Sequence, residues 1–571
     1  MDAELRAQIE REAKRHALMN ALLHDGEADV GAVMGPLMAE NEAFRAEGDA
    51  VAGVVAPVVS QVNSLDSDEQ RDELAEIDPD AIDEIEADDD DREDEALPPL
   101  PNVEDYDEVR MRLAPNPNAP YHLGHARMPA VIGTYKDRYD GWMLCRFDDT
   151  DPETKRPDLE AYDRILEDVE YLGFEPDAVL KASDRLEIYY DHARQLIDAG
   201  GAYTCSCPAE TFSELKNAGE ACPHRDIAKE RVHEEFERMV NGEYASGEMV
   251  LRVRSDLEQA NPAVRDWVAF RMVDTPHPRE EAASYRCWPL LDFQSAIDDH
   301  LTEVSHIIRG IDLQDSAKRQ RYLYEYLDWT YPEVIHWGRV QVDEYDVPLS
   351  ASTIRELIEG GELDGWDDPR APTIASLRRR GITGEAITEA MVELGTSTSS
   401  AELSMSWIYS NNRERIDEGA DRLFFVRDGQ QFEVEHAPDE VEVPVHPDHP
   451  DRGSRTLSVT DGVLLEPADI PEGDDRVWLK GIGCVRQDGP RLEMTDDDIE
   501  VVRSGEVDVV HWVPAGDPQA VELRRPTGTE TGVAEAGVSD IEPDRVVQFE
   551  RIGFARIDSQ GEQTVAYFSH R

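Results

Sequence analysis

The chain opens with apolar side chains at helical spacing. Within residues 2–24 they recur every three or four positions and stop before Gly26, at Leu5, Ile9, Ala13, Ala17, Leu22 and Leu23. This spacing places one apolar face on a helix. Residues 31–62 show a similar pattern and predict further helix. The acidic run 84–102, which ends in prolines, predicts a solvated linker rather than a cation site.

From Val109 onward the pattern changes to short apolar runs that alternate with amphipathic segments. The run "VRMRLA" predicts a strand, and "WMLCRF" at 142–147 predicts a second one. The amphipathic segments predict helices at 123–138, 157–172 and 183–199, and a further strand, helix and strand fit within 287–313. Such alternation is typical of βα units on a parallel sheet, so we predict an α/β fold.

Beyond about residue 420 the apolar runs shorten and Gly, Pro and Asp separate them. The runs "RLFFVRDG", "VWLKGIGCV", "VVHWVPAG" and "VVQFERIGFARID" have the texture of short strands joined by tight turns. This pattern predicts an all-β region, most simply one built of barrels.

The net charge is strongly negative. With 57 basic and 125 acidic residues the formal charge is −68, and only eight of the basic residues are lysines. Acidic residues also crowd 428–442, 497–508 and 540–550, so one acidic tail does not explain the excess. We predict a protein adapted to concentrated salt, where the Debye length falls to about 3 Å at 1 M and self-repulsion is screened. Binding to nucleic acid would then depend on local arginine clusters.

The cysteine count and the chain start predict a reducing compartment. The first residues are charged throughout, without the apolar stretch of a signal peptide, and no run of eighteen apolar residues predicts a membrane span. We therefore expect a cytoplasmic protein that binds no membrane. In that setting the six cysteines indicate metal ligands before disulfides.

The stretch "APNPNAPYHLGHAR", 114–127, places three prolines and two histidines between a predicted strand and a predicted helix. Ligands of parallel sheets bind where a loop leads into a helix, and a helix start suits phosphate. The prolines would stiffen the loop, Gly124 would let a nucleotide approach the backbone, and His122 and His125 could donate hydrogen bonds. The residues alone leave two alternatives open: a surface turn, or a zinc pair.

A second cluster is Cys-x-Cys followed, across fourteen residues, by Cys-x-His. Its members are Cys205, Cys207, Cys222 and His224. Four soft ligands in two tight pairs predict a closed tetrahedral zinc site with a structural role. The alternative is a set of unrelated thiols.

Three long motifs resemble the class I aminoacyl-tRNA synthetases, most closely the archaeal-type glutamyl enzymes of the glutamyl and glutaminyl group. "RLAPNPNAPYHLGHAR" resembles the His-Ile-Gly-His signature, "RFDDTDPET" the acidic segment after the second strand, and "GWDDPRAPTIASLRRRGIT" a further family signature. The likeness is continuous from about 100 to 385. It implies ATP and Mg²⁺ at the histidine loop, a zinc-containing insertion, and C-terminal β-barrels for the anticodon.

The resemblance also implies substrate-binding residues. It places Arg309 where glutamyl enzymes bind the side-chain carboxylate, Arg112 as a second substrate arginine, and Asp148 at the substrate ammonium. Arginine suits carboxylates because it bonds them in a bidentate manner. Each arginine could instead be a solvated strand end or a structural ion pair. The same resemblance adds Ala114, Asn116 and Ser295.

Two departures from the family pattern stand out. Leu291 occupies a position where the family usually has tyrosine, so Tyr285 or Trp288 would have to fill that space. The second signature, Lys-Met-Ser-Lys-Ser, aligns with Leu349, Ser350, Ala351 and Ser352, and both lysines are missing. Serine hydroxyls, backbone N–H groups and Mg²⁺ would then stabilise the leaving pyrophosphate, with help from Thr353 and Arg355. The same serines could simply cap the helix predicted at 352–360.

Adjacent arginines predict contacts with tRNA phosphates. Arg378, Arg379 and Arg380 follow a predicted helix, although a solvated helix end is the alternative. Weaker candidates on the anticodon side are Arg413, Arg415, Arg524 and Arg525.

Together these features predict domains with the following bounds: a helical N-terminal extension and linker (1–97), the two halves of a Rossmann-type catalytic domain (98–200 and 286–340), the zinc insertion (201–285), a helical stem-contact region (341–415) and the β-barrels (416–571). The implied activity is ATP-dependent charging of tRNA(Glu) with L-glutamate by a monomer, with tRNA(Gln) as a further substrate. The alternatives are charging of glutamine or a catalytically silent tRNA-binding scaffold.

Overall fold

The computed structural model describes residues 3–23, 28, 33, 37, 48–63, 65, 70, 73–74, 77, 97–471, 473 and 475–571. The chain divides into two compact units, 1–98 and 99–571.

The N-terminal unit contains the predicted helices. One spans Ala3–Leu23, and the other, within the predicted 31–62, is described as Gly48–Val62. Ile9, Ala13 and Ala17 are fully buried, as their spacing predicts. The acidic part of the predicted linker, up to residue 96, lies outside the described residues.

A parallel sheet organises the first part of the larger unit. The strands Arg110–Leu113, Trp142–Phe147 and Ala178–Lys181 pair in parallel, and so do His306–Gly310 and Glu333–Trp337. Ser305 N donates to Arg110 O at 2.9 Å, which places the second group directly beside the first. The helices that connect these strands are Arg127–Tyr139, Ala161–Tyr171, Leu186–Asp198, Leu291–Leu301 and Gln314–Leu327.

The insertion is a separate antiparallel sheet with two helices. Its strands pair in chain order, as Ala202–Cys205, Val250–Val253, Val268–Met272 and Cys287–Pro289. The helices are Ala209–Ala218 and Lys229–Val240. The last strand corrects one expectation, because Cys287–Pro289 joins this sheet and not the parallel one. It pairs antiparallel with Val268–Met272, a contact that the local sequence pattern does not reveal.

A helical region links the parallel sheet to the β-rich end. The short strands Val340–Val342 and Ala401–Leu403 pair in parallel. The helices are Ala351–Glu359, Ile374–Arg379, Gly384–Glu393 and Met405–Ile416.

Two seven-stranded sheets form the C-terminal region, and each closes on itself. In the first sheet the outermost strands, Asp421–Leu423 and Phe425–Val426, are separated in the chain by one residue. In the second they are Asp508–Val510 and Val513–Pro514, separated by two. Strands so close in sequence cannot lie at opposite edges of an open sheet, so both sheets close into barrels, as predicted.

The remaining strands complete the walls of these two barrels. The first barrel also contains Gln519–Arg525, Gly528–Ala534, Val546–Phe549, Gly553–Ser559 and Gln563–Phe568. The second contains Gln430–Glu435, Val463–Leu465, Arg476–Leu479, Gly483–Asp488 and Arg491–Asp496, beside a hairpin of Glu440–Pro444 with Ser454–Ser458 and the short helix Glu500–Arg503. Each barrel has its own apolar core.

Candidate active site

The histidine loop lies at the carboxyl edge of the parallel sheet. Leu123–His125 forms one 3-10 turn that leads directly into the helix Arg127–Tyr139. The rings of His122 and His125 stack with centroids 3.6 Å apart and 19° between planes. The predicted pair is therefore a single unit of two parallel imidazoles at a helix start.

Backbone hydrogen bonds fix this loop against the third signature segment. Leu123 N donates to Pro372 O at 2.8 Å, and Ile374 N donates to Tyr121 O at 3.1 Å. A Cβ on Gly124 would lie 3.2 Å from the His122 ring and 3.3 Å from Leu349 Cδ1. Glycine at this position thus lets the two signature loops touch.

Both histidines are neutral near pH 7. Burial lowers the pKa of His122 to about 4 and that of His125 to about 3. The Nδ1 atom of His122 is buried and has no hydrogen-bond partner among the described residues. The pair therefore offers neutral ring nitrogens to a polar ligand.

A charged network lies next to this loop. Asp299 Oδ1 accepts hydrogen bonds from Arg112 Nε at 3.1 Å and from Arg146 Nη1 at 2.7 Å, and Arg146 Nε donates to Asp148 Oδ1 at 2.7 Å. All four side chains are buried. Burial alone would raise the pKa of Asp299, but Arg112 and Arg146 outweigh it and hold that pKa below its ordinary value.

Arg309 belongs to a second, neutral network. Its Nη2 donates to Gln320 Oε1 and to Tyr331 Oη, both at 3.2 Å, and Gln320 Nε2 donates to Ser295 Oγ at 2.7 Å. Arg309 is buried, its Nε has no partner, and no carboxylate within the described ranges lies at ion-pair distance. A buried guanidinium without a directly paired carboxylate is costly, although Asp299 lies close enough to interact with it electrostatically, and an anionic ligand would offset that cost.

The structure thus brings Arg112, Asp148, Ser295 and Arg309 together. The sequence reasoning missed four residues that connect them, namely Arg146, Asp299, Gln320 and Tyr331. One signal was available, since "FQSAIDDHL" places two adjacent aspartates in the helix predicted within 287–313. Tertiary contacts alone reveal the other partners.

The neighbouring loop residues have defined places. Asn116 Nδ2 donates to Asp148 O at 2.8 Å, and its buried Oδ1 has no partner in the described part of the chain. Ala114 directly follows the strand Arg110–Leu113.

The predicted aromatic substitutes take other positions. Leu291 is 40% exposed, Trp288 is fully buried and stacks on His277, and Tyr285 Oη donates to Glu187 at 3.4 Å. Instead, the aromatic group that bonds Arg309 is Tyr331.

The second signature loop forms a helix start without a lysine. Ser350 is the N-cap residue of the helix Ala351–Glu359, and its Oγ accepts from Thr353 N at 3.4 Å. The hydroxyls of Ser352 and Thr353 both lie 3.1 Å from Ser350 Oγ. Ser350 therefore caps the helix, as one alternative predicted. The hydroxyl cluster at the same helix start can still bind a phosphate ligand.

The four predicted metal ligands meet in the insertion. The ligand atoms of Cys205, Cys207, Cys222 and His224 all lie within 4.8 Å of one another. Cys205 Sγ is 3.8 Å from Cys222 Sγ, and Cys207 Sγ is 3.3 Å from His224 Nδ1. Tetrahedral zinc with Zn–S bonds of about 2.3 Å separates its sulfur atoms by nearly 3.8 Å, so the cluster fits this metal.

The arginine run 378–380 does not form an exposed cluster. Arg380 is buried and donates to Phe568 O at 3.0 Å and to Ser569 O at 2.6 Å. Arg379 pairs with Asp367 at 2.8 Å and with Asp558 at 3.3 Å. The expectation of three phosphate-facing cations is corrected for these two, because Asp367 and groups of the first barrel and the C-terminal tail already bond them. Arg378 lies over the Tyr171 ring.

Replacing Arg380 with alanine should destabilise the larger unit by about 2–4 kcal/mol, because two buried carbonyls lose their donor. Chemical unfolding in concentrated KCl measures the change in the free energy of unfolding. The matched control is Arg378→Ala, which removes a neighbouring arginine for which the structure shows no buried carbonyl partner. Equal losses in the two variants would contradict the role given to Arg380.

The weaker tRNA candidates also have partners within the chain. Arg415 pairs with Glu389 at 2.8 Å, Arg524 with Glu522 at 2.7 Å, and Arg525 with Glu530 at 3.1 Å. Arg413 donates to the backbone carbonyl of Arg571. None of these contacts selects an anticodon-reading residue.

Comparison with known proteins gives the family. A family model described as "tRNA synthetases class I (E and Q), catalytic domain" matches residues 108–418. Two models described as "tRNA synthetases class I (E and Q), anti-codon binding domain" match residues 420–503 and 509–558. The chain belongs to the class I tRNA synthetases for glutamate and glutamine. The synthetase thus has a parallel-sheet catalytic region followed by anticodon-binding barrels, as its sequence predicted.

Relatives named "Glutamate--tRNA ligase" match the synthetase over its full length. Those from Haloquadratum walsbyi and Natronomonas pharaonis are each 62% identical to it over the whole of both chains. The relative from Pyrococcus abyssi is 42% identical over 99% of this chain and all of its own. Within the part of the synthetase that the structure describes, no helix is long and apolar enough to cross a membrane.

Proposed function

We infer that the synthetase is a glutamate–tRNA ligase that activates L-glutamate with ATP and transfers it to the 3′ end of tRNA(Glu). Full-length relatives with that name support the activity. The observation that carries the choice of amino acid is Arg309, a buried guanidinium that has only neutral partners.

The reaction has two steps. An α-carboxylate oxygen of glutamate attacks the α-phosphorus of ATP, and the bond to pyrophosphate breaks to give glutamyl adenylate. The terminal ribose hydroxyl of tRNA then attacks the acyl carbon, and AMP leaves with the electron pair of the broken C–O bond. No protein nucleophile is required, so positioning and electrostatic stabilisation supply the catalysis.

The histidine loop and the serine loop would hold the triphosphate. Neutral His122 and His125 donate hydrogen bonds to phosphate oxygens at the start of a helix. Ser350 and Ser352 stand at a second helix start, and Gly124 with Leu349 lets the two loops meet. Hydroxyls and backbone N–H groups would take the place of the missing lysines, and Mg²⁺, when bound, would supply positive charge for the pyrophosphate.

The charged network and the neutral network around Arg309 would together hold the amino acid. Arg309 binds the side-chain carboxylate, with Arg112 as the second cation of the pocket. Asp148 accepts hydrogen bonds from the ammonium, while Ala114, Asn116 and Ser295 line the loop and helix beside it. A glutamine side chain would leave the charge of Arg309 uncompensated, so this arrangement disfavours glutamine.

The cysteine cluster would hold one zinc ion. Zinc at these four ligands supplies a tetrahedral cross-link between the strand end at Cys205 and the loop at Cys222. Ser206 Oγ lies 3.2 Å from His224 Nε2, which leaves Nδ1 to face the metal position. All four positions are filled by protein atoms, so the role is structural.

Replacing Cys222 with serine should abolish stoichiometric zinc and lower the melting temperature, because the cross-link is lost. Elemental analysis of the purified full chain measures zinc per chain, and calorimetry measures melting. The matched control is Cys484→Ser, a buried cysteine in a barrel outside the cluster. Full zinc content in the Cys222 variant would contradict the assignment.

Three further features complete the proposal. The synthetase also charges tRNA(Gln), acts as a monomer, and works in the cytoplasm. Arg378 is the member of the arginine run that stays a candidate for tRNA contact, alongside the barrels. Charging assays with each purified tRNA and light scattering of the free protein test the first two points.

The missing signature lysines motivate one rival, a tRNA-binding scaffold without catalysis. Glutamate-dependent exchange of pyrophosphate into ATP, measured with tRNA present in molar KCl, separates the two functions. An active ligase gives exchange above the background without glutamate. Tight tRNA binding without exchange would favour the scaffold.

A further inference from the structure

A buried carboxyl group lies directly behind the histidine loop. Asp168 belongs to the helix Ala161–Tyr171, is 2% exposed, and its Oδ2 accepts a hydrogen bond from Tyr121 N at 3.1 Å. Tyr121 immediately precedes His122, and its ring centroid lies 5.3 Å from that of His125. The contact therefore acts on the peptide that begins the loop.

Among the residues that the structure describes, this carboxyl forms no ion pair. The described part of the chain places no cation within ion-pair distance of it. A buried carboxyl group costs more than a buried amide, which could equally accept one N–H hydrogen bond. Packing does not explain that choice, whereas the stronger charge-assisted bond that a carboxylate makes would fix the loop more firmly.

We propose that Asp168 is a positioning residue for catalysis, which fixes the Tyr121 peptide and thereby the stacked histidines that receive ATP. The proposal rests on the function inferred above. Pro372 O and Ile374 N hold the same loop from its other side, so the Asp168 contact completes a set of three bonds around residues 121–123.

The surroundings of Asp168 make this contact sensitive to pH. Burial raises the pKa of Asp168 to about 7, while the Tyr121 N–H and Arg378 act to lower it. The charged groups that face it are Arg378 from the helix Ile374–Arg379, and Glu167 and Arg164 from its own helix. The ionised carboxylate holds Tyr121 most strongly, so the loop should loosen as the pH falls through about 7.

The test is the KM for ATP in tRNA- and glutamate-dependent pyrophosphate exchange, from about pH 5.5 to about 8.5 at saturating tRNA. The wild type should show a rise in KM as the pH falls below about 7. Asp168→Asn keeps the acceptor, but its side chain cannot ionise. At high pH its KM for ATP should therefore be about fivefold higher than that of the wild type. It should also lack the acid limb of the profile, that is, the rise in KM at low pH. Asp168→Ala leaves Tyr121 N unsatisfied, so its KM for ATP should be about tenfold higher than that of the wild type, or more.

Two more variants isolate the effect. Arg378→Gln should move the limb to higher pH, because the guanidinium no longer favours the carboxylate. Glu535→Gln is the control: Glu535 is a buried carboxyl in the barrels that accepts from Phe424 N at 2.7 Å, as Asp168 does from Tyr121 N, and also pairs with Arg455 at 2.7 Å. It should leave both the KM for ATP and the limb unchanged.

The outcomes are distinguishable. A wild type that exchanges pyrophosphate while Asp168→Asn keeps the limb overturns the role of Asp168 alone. An equal shift in Glu535→Gln also overturns it, because the effect would then be a general loss of stability. Absence of exchange in the wild type overturns the proposed function and this role together.

Discussion

Replacing Arg309 with glutamine should lower kcat/KM for glutamate by about a thousandfold, equivalent to roughly 4 kcal/mol. Without the buried cation, the pocket would not offset the cost of desolvating the substrate carboxylate. Most of the loss should appear in KM for glutamate, because the guanidinium pairs with a group that does not react. Steady-state aminoacylation in molar KCl measures both constants.

Two further variants sharpen this result. Arg309→Lys keeps a charge but not the planar fork, so it should recover only part of the activity. Arg319→Gln is the matched control, because Arg319 lies ten residues away and is already paired with Asp292. If Arg309→Gln charges glutamate as well as the wild type does, Arg309 does not bind the substrate carboxylate.

Replacing His125 with alanine should lower kcat by about 10²–10³-fold, the usual effect of removing one donor to developing charge. The ring is neutral and stacks on His122, so its loss also leaves His122 without its stacking partner. Single-turnover formation of glutamyl adenylate measures the chemical step directly.

The control for this variant is a histidine with a structural role. His306 is buried at the amino end of its strand, where Nε2 lies 2.8 Å from Pro101 O. His306→Gln should reduce stability and leave the rate of adenylate formation within about threefold of the wild type. If the His125 variant loses no more rate than this control, the histidine pair has no catalytic part.

The comparison of sequence with structure shows where local patterns suffice. The strand Trp142–Phe147 has the predicted bounds, and the two histidines stand in the first of three long motifs whose order fixes their place in the fold. The cysteine spacing likewise predicted a cluster with metal-ligand distances. In each case neighbours along the chain carry the information.

Other features depend on partners that are distant in the chain. Arg380 resembles a surface cation in sequence, and its burial follows from carbonyls of the last strand and tail, 188 and 189 residues away. Asp299 could be noticed as one of two adjacent aspartates in a predicted helix, but only the fold shows that it joins Arg112 to Arg146. Among the described residues, hydroxyls and a helix start stand where the second signature would have its lysines.

The most direct test of the central claim is the charging of purified tRNA(Glu) by the full chain in molar KCl, with free glutamate or free glutamine as the amino acid. A pocket built around an uncompensated Arg309 predicts robust charging with glutamate and at least about a hundredfold lower kcat/KM with glutamine. Robust charging with glutamine, or none with glutamate, would contradict it.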